Sequence, residues 1–259
     1  MELLEWAGYS VDENIGCGRF GCVYTVIKDK CLYAAKIIQD HNKKRWLPLQ
    51  NLNSEVEILR KIHKLPNVAH LVETLPSMEF PRVLIMEFIP GMTLDFYSPV
   101  MGAPGFDELT LQSIAQQLLT IVASLHQYGI AHRDIKLENI IFNDGRITLV
   151  DFGTATVRGT TKLTGSILYM SPEILNNNDD SDGEKFYTLD ALKRSDMYAI
   201  GITLYMLANK VPPFPINDVT CSADFRPEMD KYRSSDMLTE MTDILICNKH
   251  TNKFNALLI

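Results

Sequence analysis

The sequence predicts an α+β protein built in two parts, a strand-rich first part joined near Pro90-Gly91 to a helix-rich second part. Three observations carry this. Up to about residue 89 the apolar residues come in short β-branched runs separated by polar turns. Beyond Pro90 they recur at the spacing of one stripe on a 3.6-residue helix. The polar residues with chemical potential sit just after strands or helices, where loops carry function.

Taken in order, "GCVYTVIKDKCLYAAKII" gives two apolar runs around the polar Lys28-Asp29-Lys30, a hairpin without the ideal Asn-Gly. In "LNSEVEILRKI" the apolar Leu52, Leu59 and Ile62 share a helical face with Glu55, whereas Glu57 points to solvent. "RVLIMEFI", Arg82 to Ile89, is a strand that Pro90-Gly91 breaks. From Leu111 the stripe Leu111, Ile114, Ala115, Leu118, Leu119, Val122, Leu125 predicts a helix that delivers the chain to His132. "IIF" and "ITLV" are short strands flanking the turn at Asn143 to Gly145, and Val150 leads into Asp151. The longest apolar run, around Met197 to Ala208, is shorter than the roughly 20 residues of a membrane span and predicts a buried helix.

The 259 residues are 46% hydrophobic and 22% charged, enough apolar content for a stable core. With 25 Lys+Arg against 32 Asp+Glu the formal charge is −7, which argues against nucleic acid or an anionic membrane as partner. The run Lys43-Lys44-Arg45 is too short to reverse that and is read as solvated surface. Five cysteines, an odd number without metal-type pairing, and a start, "MELLEWAGYS", unlike a signal peptide point to a reducing, intracellular setting in the cytoplasm or nucleus.

The chemistry begins with "GCGRFG", Gly16 to Gly21. The pattern GxGxxG alone is weak, and an ordinary glycine turn is the plain alternative. A dinucleotide-binding turn is followed by a helix, yet "CVYTVI" is a strand pattern, so this loop bends a hairpin over a ligand. Lys36 lies within the apolar "YAAKII", where an ammonium needs either an anion or an edge-strand surface position. Glu55, inward on its helix, is a partner that would aim Lys36 at phosphates. In "HRDIKLEN", Asp134 is suited to orient a hydroxyl and accept its proton, Lys136 to sit near a transferring phosphoryl group, and Asn139 to give a metal an oxygen. Asp151 of "VDFG" supplies the second metal oxygen, a donor set suited to Mg²⁺ or Mn²⁺ rather than zinc.

In this order "IGCGRFGCVY", "AAK", "HRDIKLEN", "DFG" and "MSPE" resemble the eukaryotic protein kinases, over about Tyr9 to Phe214. Lys136, two residues after Asp134, resembles the serine/threonine class. The resemblance implies a bilobal protein-kinase fold in one domain over 1–259, with lobes of about 1–89 and 93–259 and a hinge at about 87–92. It implies ATP and Mg²⁺ (or Mn²⁺) as cofactors and serine or threonine hydroxyls of proteins as substrate, with Asp134, Lys136, Lys36 and Glu55 catalytic and Asn139 and Asp151 on the metal. Ile15, Gly16, Gly18, Gly21, Val23, Ala34, Lys36, Met86, Glu87, Ile89 and Ile141 are implied around the nucleotide, Met86 as gatekeeper and Glu87 and Ile89 through their main chain. Leu59, Leu71, His132 and Phe152 resemble the stack of side chains that aligns in active kinases, and Asp196 the anchor of the catalytic loop. Arg133 resembles the arginine that receives a phosphate from the activation segment, where Thr160, Thr161 and Thr164 are acceptor candidates, and Ser166 has a hydroxyl that could reach Asp134.

Two departures stand out. The 22-residue connection between Glu173 and Asp196 includes the acidic "NNNDDSDG", read as an exposed insertion. Only 44 residues follow "PPFP", so the last helices are expected to be shortened, as in some virus-encoded kinases, with Lys253 as the partner of Glu173. Two other classes compete: a pseudokinase scaffold, disfavoured by the intact Lys36, Glu55, Asp134, Asn139 and Asp151, and a small-molecule phosphotransferase, disfavoured by "MSPE" and Asp196.

Overall fold

The computed structural model describes residues 1–18, 21–38, 47–77, 82–175 and 185–209, with the backbone alone for 47–51. The chain divides into two compact units, one of Met1–Pro90 with Val150–Ala155, the other of Gly91–Leu149 with the chain from Thr156 onward.

The first unit is built on a five-stranded antiparallel sheet. Its strands are β1 (Ser10–Gly18), β2 (Gly21–Lys28), β3 (Cys31–Ile37), β4 (Leu71–Leu75) and β5 (Val83–Glu87), in the order β1-β2-β3-β5-β4. Asp29 and Lys30 close β2 onto β3 with φ of 52° and 64°, the pair of left-handed residues that a tight two-residue hairpin requires. One face of the sheet gathers Val26, Ala35, Leu75, Val83 and Ile85 with Tyr9 and the fully buried Leu4 of helix α1 (Glu2–Trp6). Helix α2 (Leu47–Lys61) buries Leu52, Glu55, Val56, Ile58 and Leu59 and leaves Glu57 exposed, as the inward-facing pattern around Glu55 predicts.

In the second unit β6 (Met92–Thr93), β7 (Ile140–Asn143) and β8 (Arg146–Leu149) form a small antiparallel sheet. Asp144 and Gly145, with φ of 47° and 79°, make its tight turn at the predicted position. Helix α3 (Glu108–Gln127) buries the whole stripe from Leu111 to Leu125. It starts one turn earlier than the stripe because Asp107 caps it, accepting the Thr110 amide at 2.8 Å. The short α4 (Pro172–Leu175) precedes α5 (Leu189–Ala208), capped by Thr188 and buried at every position from Tyr198 to Leu207. A helix apolar all round belongs in a core, and α5 packs against α3. Among the described residues no helix is long and apolar enough to cross a membrane.

Two elements of the first unit carried no readable signal. α1 has five residues, too few for periodicity, and β4, "LVETL", mixes a glutamate and a threonine into its run. The basic run at Lys43, the insertion at 176–184, "PPFP" and Lys253 lie outside the described residues.

Candidate active site

β3 is the middle strand of its sheet, so Lys36 is not on an edge, and it is 5% exposed. Strand alternation puts it on the face opposite Ala35, away from the cluster that holds α1. On that face its Nζ donates to Glu55 Oε1 at 2.7 Å, Glu55 Oε2 at 2.9 Å and Asp151 Oδ1 at 2.7 Å. Burial alone pushes the Lys36 ammonium toward losing its proton. The attraction of Glu55 and Asp151 outweighs it, so the pKa stands above the ordinary lysine value and the charge stays. Burial raises the Glu55 carboxyl, and Lys36 draws it back. Asp151 takes φ 61° and accepts the Gly153 amide at 3.3 Å. A Cβ on Gly153 would stand 3.1 Å from Lys36 Nζ, 3.2 Å from Asp151 Oδ1 and 3.3 Å from Glu55 Oε2, so the glycine of "DFG" leaves room for the ion group. Phe152 is buried beside it in sequence, as is Leu59 on α2, while Leu71 is half-buried.

The register Val23↔Lys36 and Ala34↔Met86 sets Val23, Ala34, Lys36 and Met86 on one face of the sheet. Ala34 and Met86 are buried and Val23 is half-buried. Past Met86 the Glu87 amide donates to His70 O at 3.0 Å, and Ile89 is half-buried. β1 and β2 meet at the glycines, Gly18 opposite Gly21, with Ile15, Gly16 and Gly18 exposed. A Cβ on Gly16 or Gly18 would meet nothing within 4 Å, whereas one on Gly21, at φ 139°, would strike Ile37 O at 2.2 Å. The first two glycines therefore keep space open above the sheet, and the third permits close packing of β2 on β3. Cys17 and Cys22 are joined by a disulfide, a pairing that number and spacing did not suggest, and Cys31 is the exposed free cysteine among the described residues.

The stretch His132 to Asn139 forms a tight loop in the second unit. Asp134 is buried, its Oδ2 3.1 Å from Lys136 Nζ and 3.2 Å from Asn139 Nδ2, and Asn139 Nδ2 also donates to Asp134 O at 2.8 Å. That anchoring of the amide nitrogen turns Asn139's oxygen, the metal-type donor, the other way. Ile141, on β7, is half-buried. Ser166 approaches Asp134 differently from expectation: its backbone amide donates to Asp134 Oδ1 at 2.8 Å, while its hydroxyl accepts from Lys136 Nζ at 3.0 Å. Asp196, 1% exposed, accepts the amides of His132 at 2.8 Å and Arg133 at 2.7 Å. His126 Nε2 lies 2.9 Å from the same carboxylate, a contact the sequence did not suggest because α3 and α5 meet only in the fold.

Arg133 takes φ 68° and its Nη1 donates to Lys162 O at 3.3 Å. Burial lowers its pKa, with Asp196 opposing. A cavity beside it is lined by Lys162, Thr164, Tyr187 and Ser195 among others. Thr160 is tied by its backbone to Tyr187, Thr164 has its hydroxyl buried, and Thr161 is exposed. Glu173 is bonded by Arg194 of α5, whose Nε donates to Oε2 at 3.2 Å.

The sequence matches the family described as Protein kinase domain over residues 9–255, and the chain belongs to that family. It is 32% identical over 221 residues to a probable serine/threonine-protein kinase of Dictyostelium discoideum, covering 80% of this chain and 29% of the relative. Calcium-dependent protein kinase 24 of Arabidopsis thaliana is 27% identical, with 80% of this chain and 34% of the relative covered. A probable myosin light chain kinase of Dictyostelium discoideum is 32% identical over 82% of this chain and 66% of its own length. The chain thus spans about a third of the first two.

Proposed function

We propose that the chain is a single protein kinase domain over 1–259 that transfers the γ-phosphoryl group of ATP to serine or threonine hydroxyls of protein substrates. The observation that carries this is the Lys36 ammonium, buried and charged between Glu55 and Asp151. A lysine held this way is a fixed cation for phosphate oxygens, and Glu55 keeps it aimed. Gly16 and Gly18 let backbone N–H groups approach phosphates, and the apolar face of Val23, Ala34 and Met86 suits a purine ring. Ile15 and Ile141 add apolar surface for the ring, and the main chain of Glu87 and Ile89 offers its polar edge hydrogen bonds. Asp134 orients the attacking hydroxyl and takes its proton, and Lys136, bonded to both Asp134 and Ser166, offsets charge that builds on the transferred group. Asp151 and Asn139 present hard oxygen donors that fit Mg²⁺ or Mn²⁺. Held by these two residues, the ion would supply positive charge to offset that of the phosphates. The acidic net charge supports a protein that acts on proteins, not on nucleic acid or an anionic membrane, and we place that activity inside the cell.

Incubation with γ-labelled ATP, MgCl₂ and a generic basic protein, followed by acid hydrolysis, tests the reading. Labelled phosphoserine or phosphothreonine is expected. No label on any acceptor would leave a scaffold, and label confined to a small molecule would make the chain a phosphotransferase of another class.

A further inference from the structure

The glycine hairpin carries a feature the phosphoryl-transfer reading does not use. Cys17 and Cys22 stand directly opposite each other on β1 and β2, one step back from the Gly18–Gly21 pair, with Cα atoms 4.0 Å apart and their sulfurs bonded. This is the close, non-hydrogen-bonded kind of antiparallel pair, in which facing side chains meet. Cys22 faces Ile37 across β2 and β3, on the sheet face opposite Val23 and Lys36, so the link lies behind the hairpin and leaves the phosphate face uncovered.

We infer that Cys17 and Cys22 are a reversible thiol–disulfide pair that sets the affinity of the glycine hairpin for nucleotide; this rests on reading that hairpin as the nucleotide flap. The two sulfurs are chemically unequal. Cys17 is exposed and has the Asn14 side-chain amide nitrogen 3.4 Å from its sulfur, a donor that favours the thiolate, whereas Cys22 is 2% exposed. The oxidant is a small disulfide such as oxidised glutathione. The Cys17 thiolate attacks it, forming a mixed disulfide and releasing one glutathione thiolate. The Cys22 thiolate then attacks the sulfur of Cys17, the protein disulfide forms and the second glutathione leaves, so the two electrons lost by the cysteines reside on glutathione. Closed, the link fixes the strands on either side of the hairpin tip and holds Gly18 against Gly21. Open, Gly16 and Gly18, where an added Cβ would meet nothing within 4 Å, are released to turn their N–H groups toward phosphate.

The full chain is equilibrated in glutathione buffers of graded ratio, alkylated and peptide-mapped, and the Kd for ATP with MgCl₂ is measured by calorimetry for the fully reduced and fully oxidised protein. A Cys17–Cys22 link that forms and reverses with the ratio is expected, with ATP bound about fivefold more weakly when oxidised. Cys17→Ser, at an exposed position, should bind like the reduced protein at every ratio, and Cys22→Ala should do the same. No link at any ratio, a link to Cys31 or glutathione instead, or equal Kd in both states would overturn the inference. If the link titrates as stated but neither state binds ATP, the flap reading fails together with the proposed control of affinity, while the disulfide stands.

Discussion

At the scale of single residues the site depends on charges that burial would oppose unless they were paired. Lys36 and Glu55 are both nearly inaccessible, and their partnership was legible because each sat on an apolar, inward face of its own element. The third member, Asp151, was legible only through "DFG", since no spacing argument brings residue 151 to residue 36. Glu55→Gln keeps the shape and removes the charge that aims the ammonium, so stopped-flow transfer assays should show kcat falling by about tenfold or more. Asp196 presents a different risk. Replacing it with Ala strips the acceptor from the amides of His132 and Arg133, and urea unfolding should show a loss of about 2–5 kcal/mol.

Elements follow local rules, and the exceptions have local reasons. The Asp29-Lys30 turn adopts the two left-handed residues of a tight hairpin without a glycine, at the polar turn the sequence marked. The glycine loop separates two roles that the motif treats alike. Gly21→Ala meets Ile37 O and an unfavourable φ, and chemical denaturation should register a loss of about 1–3 kcal/mol. Gly16→Ala meets open space, so its stability should match the unaltered chain while its affinity for ATP falls. At α3, the Thr110 amide holds the Asp107 carboxyl below the usual carboxylate range. A lowered carboxyl pKa stabilises the fold above the unfolded value, and that contribution is lost as pH falls through the folded one. The gap in denaturation midpoint between the unaltered chain and Asp107→Ala should therefore be open at neutral pH and close as pH falls through the acidic range below the ordinary carboxylate pKa.

For the whole molecule, the two-part division near Pro90-Gly91 was visible because periodicity changes there from strand to helix. The return of Val150–Ala155 to the first unit was not, because six residues carry no periodicity and the unit they join is chosen by tertiary contacts. Partners from distant chain positions stayed hidden for the same reason: His126 with Asp196 and Arg194 with Glu173. Reading the cysteines by number and spacing alone missed what strand pairing decides.

The central claim is that a buried cation and a buried carboxylate, Lys36 and Asp134, divide the work of moving a phosphoryl group to an alcohol. The single-turnover rate constant for transfer from ATP to a serine-containing basic peptide tests it, measured for the unaltered chain, Lys36→Met and Asp134→Asn at matched circular dichroism. Each variant should be slower by about 10²-fold or more. Rates that match the unaltered chain in either folded variant would contradict the account.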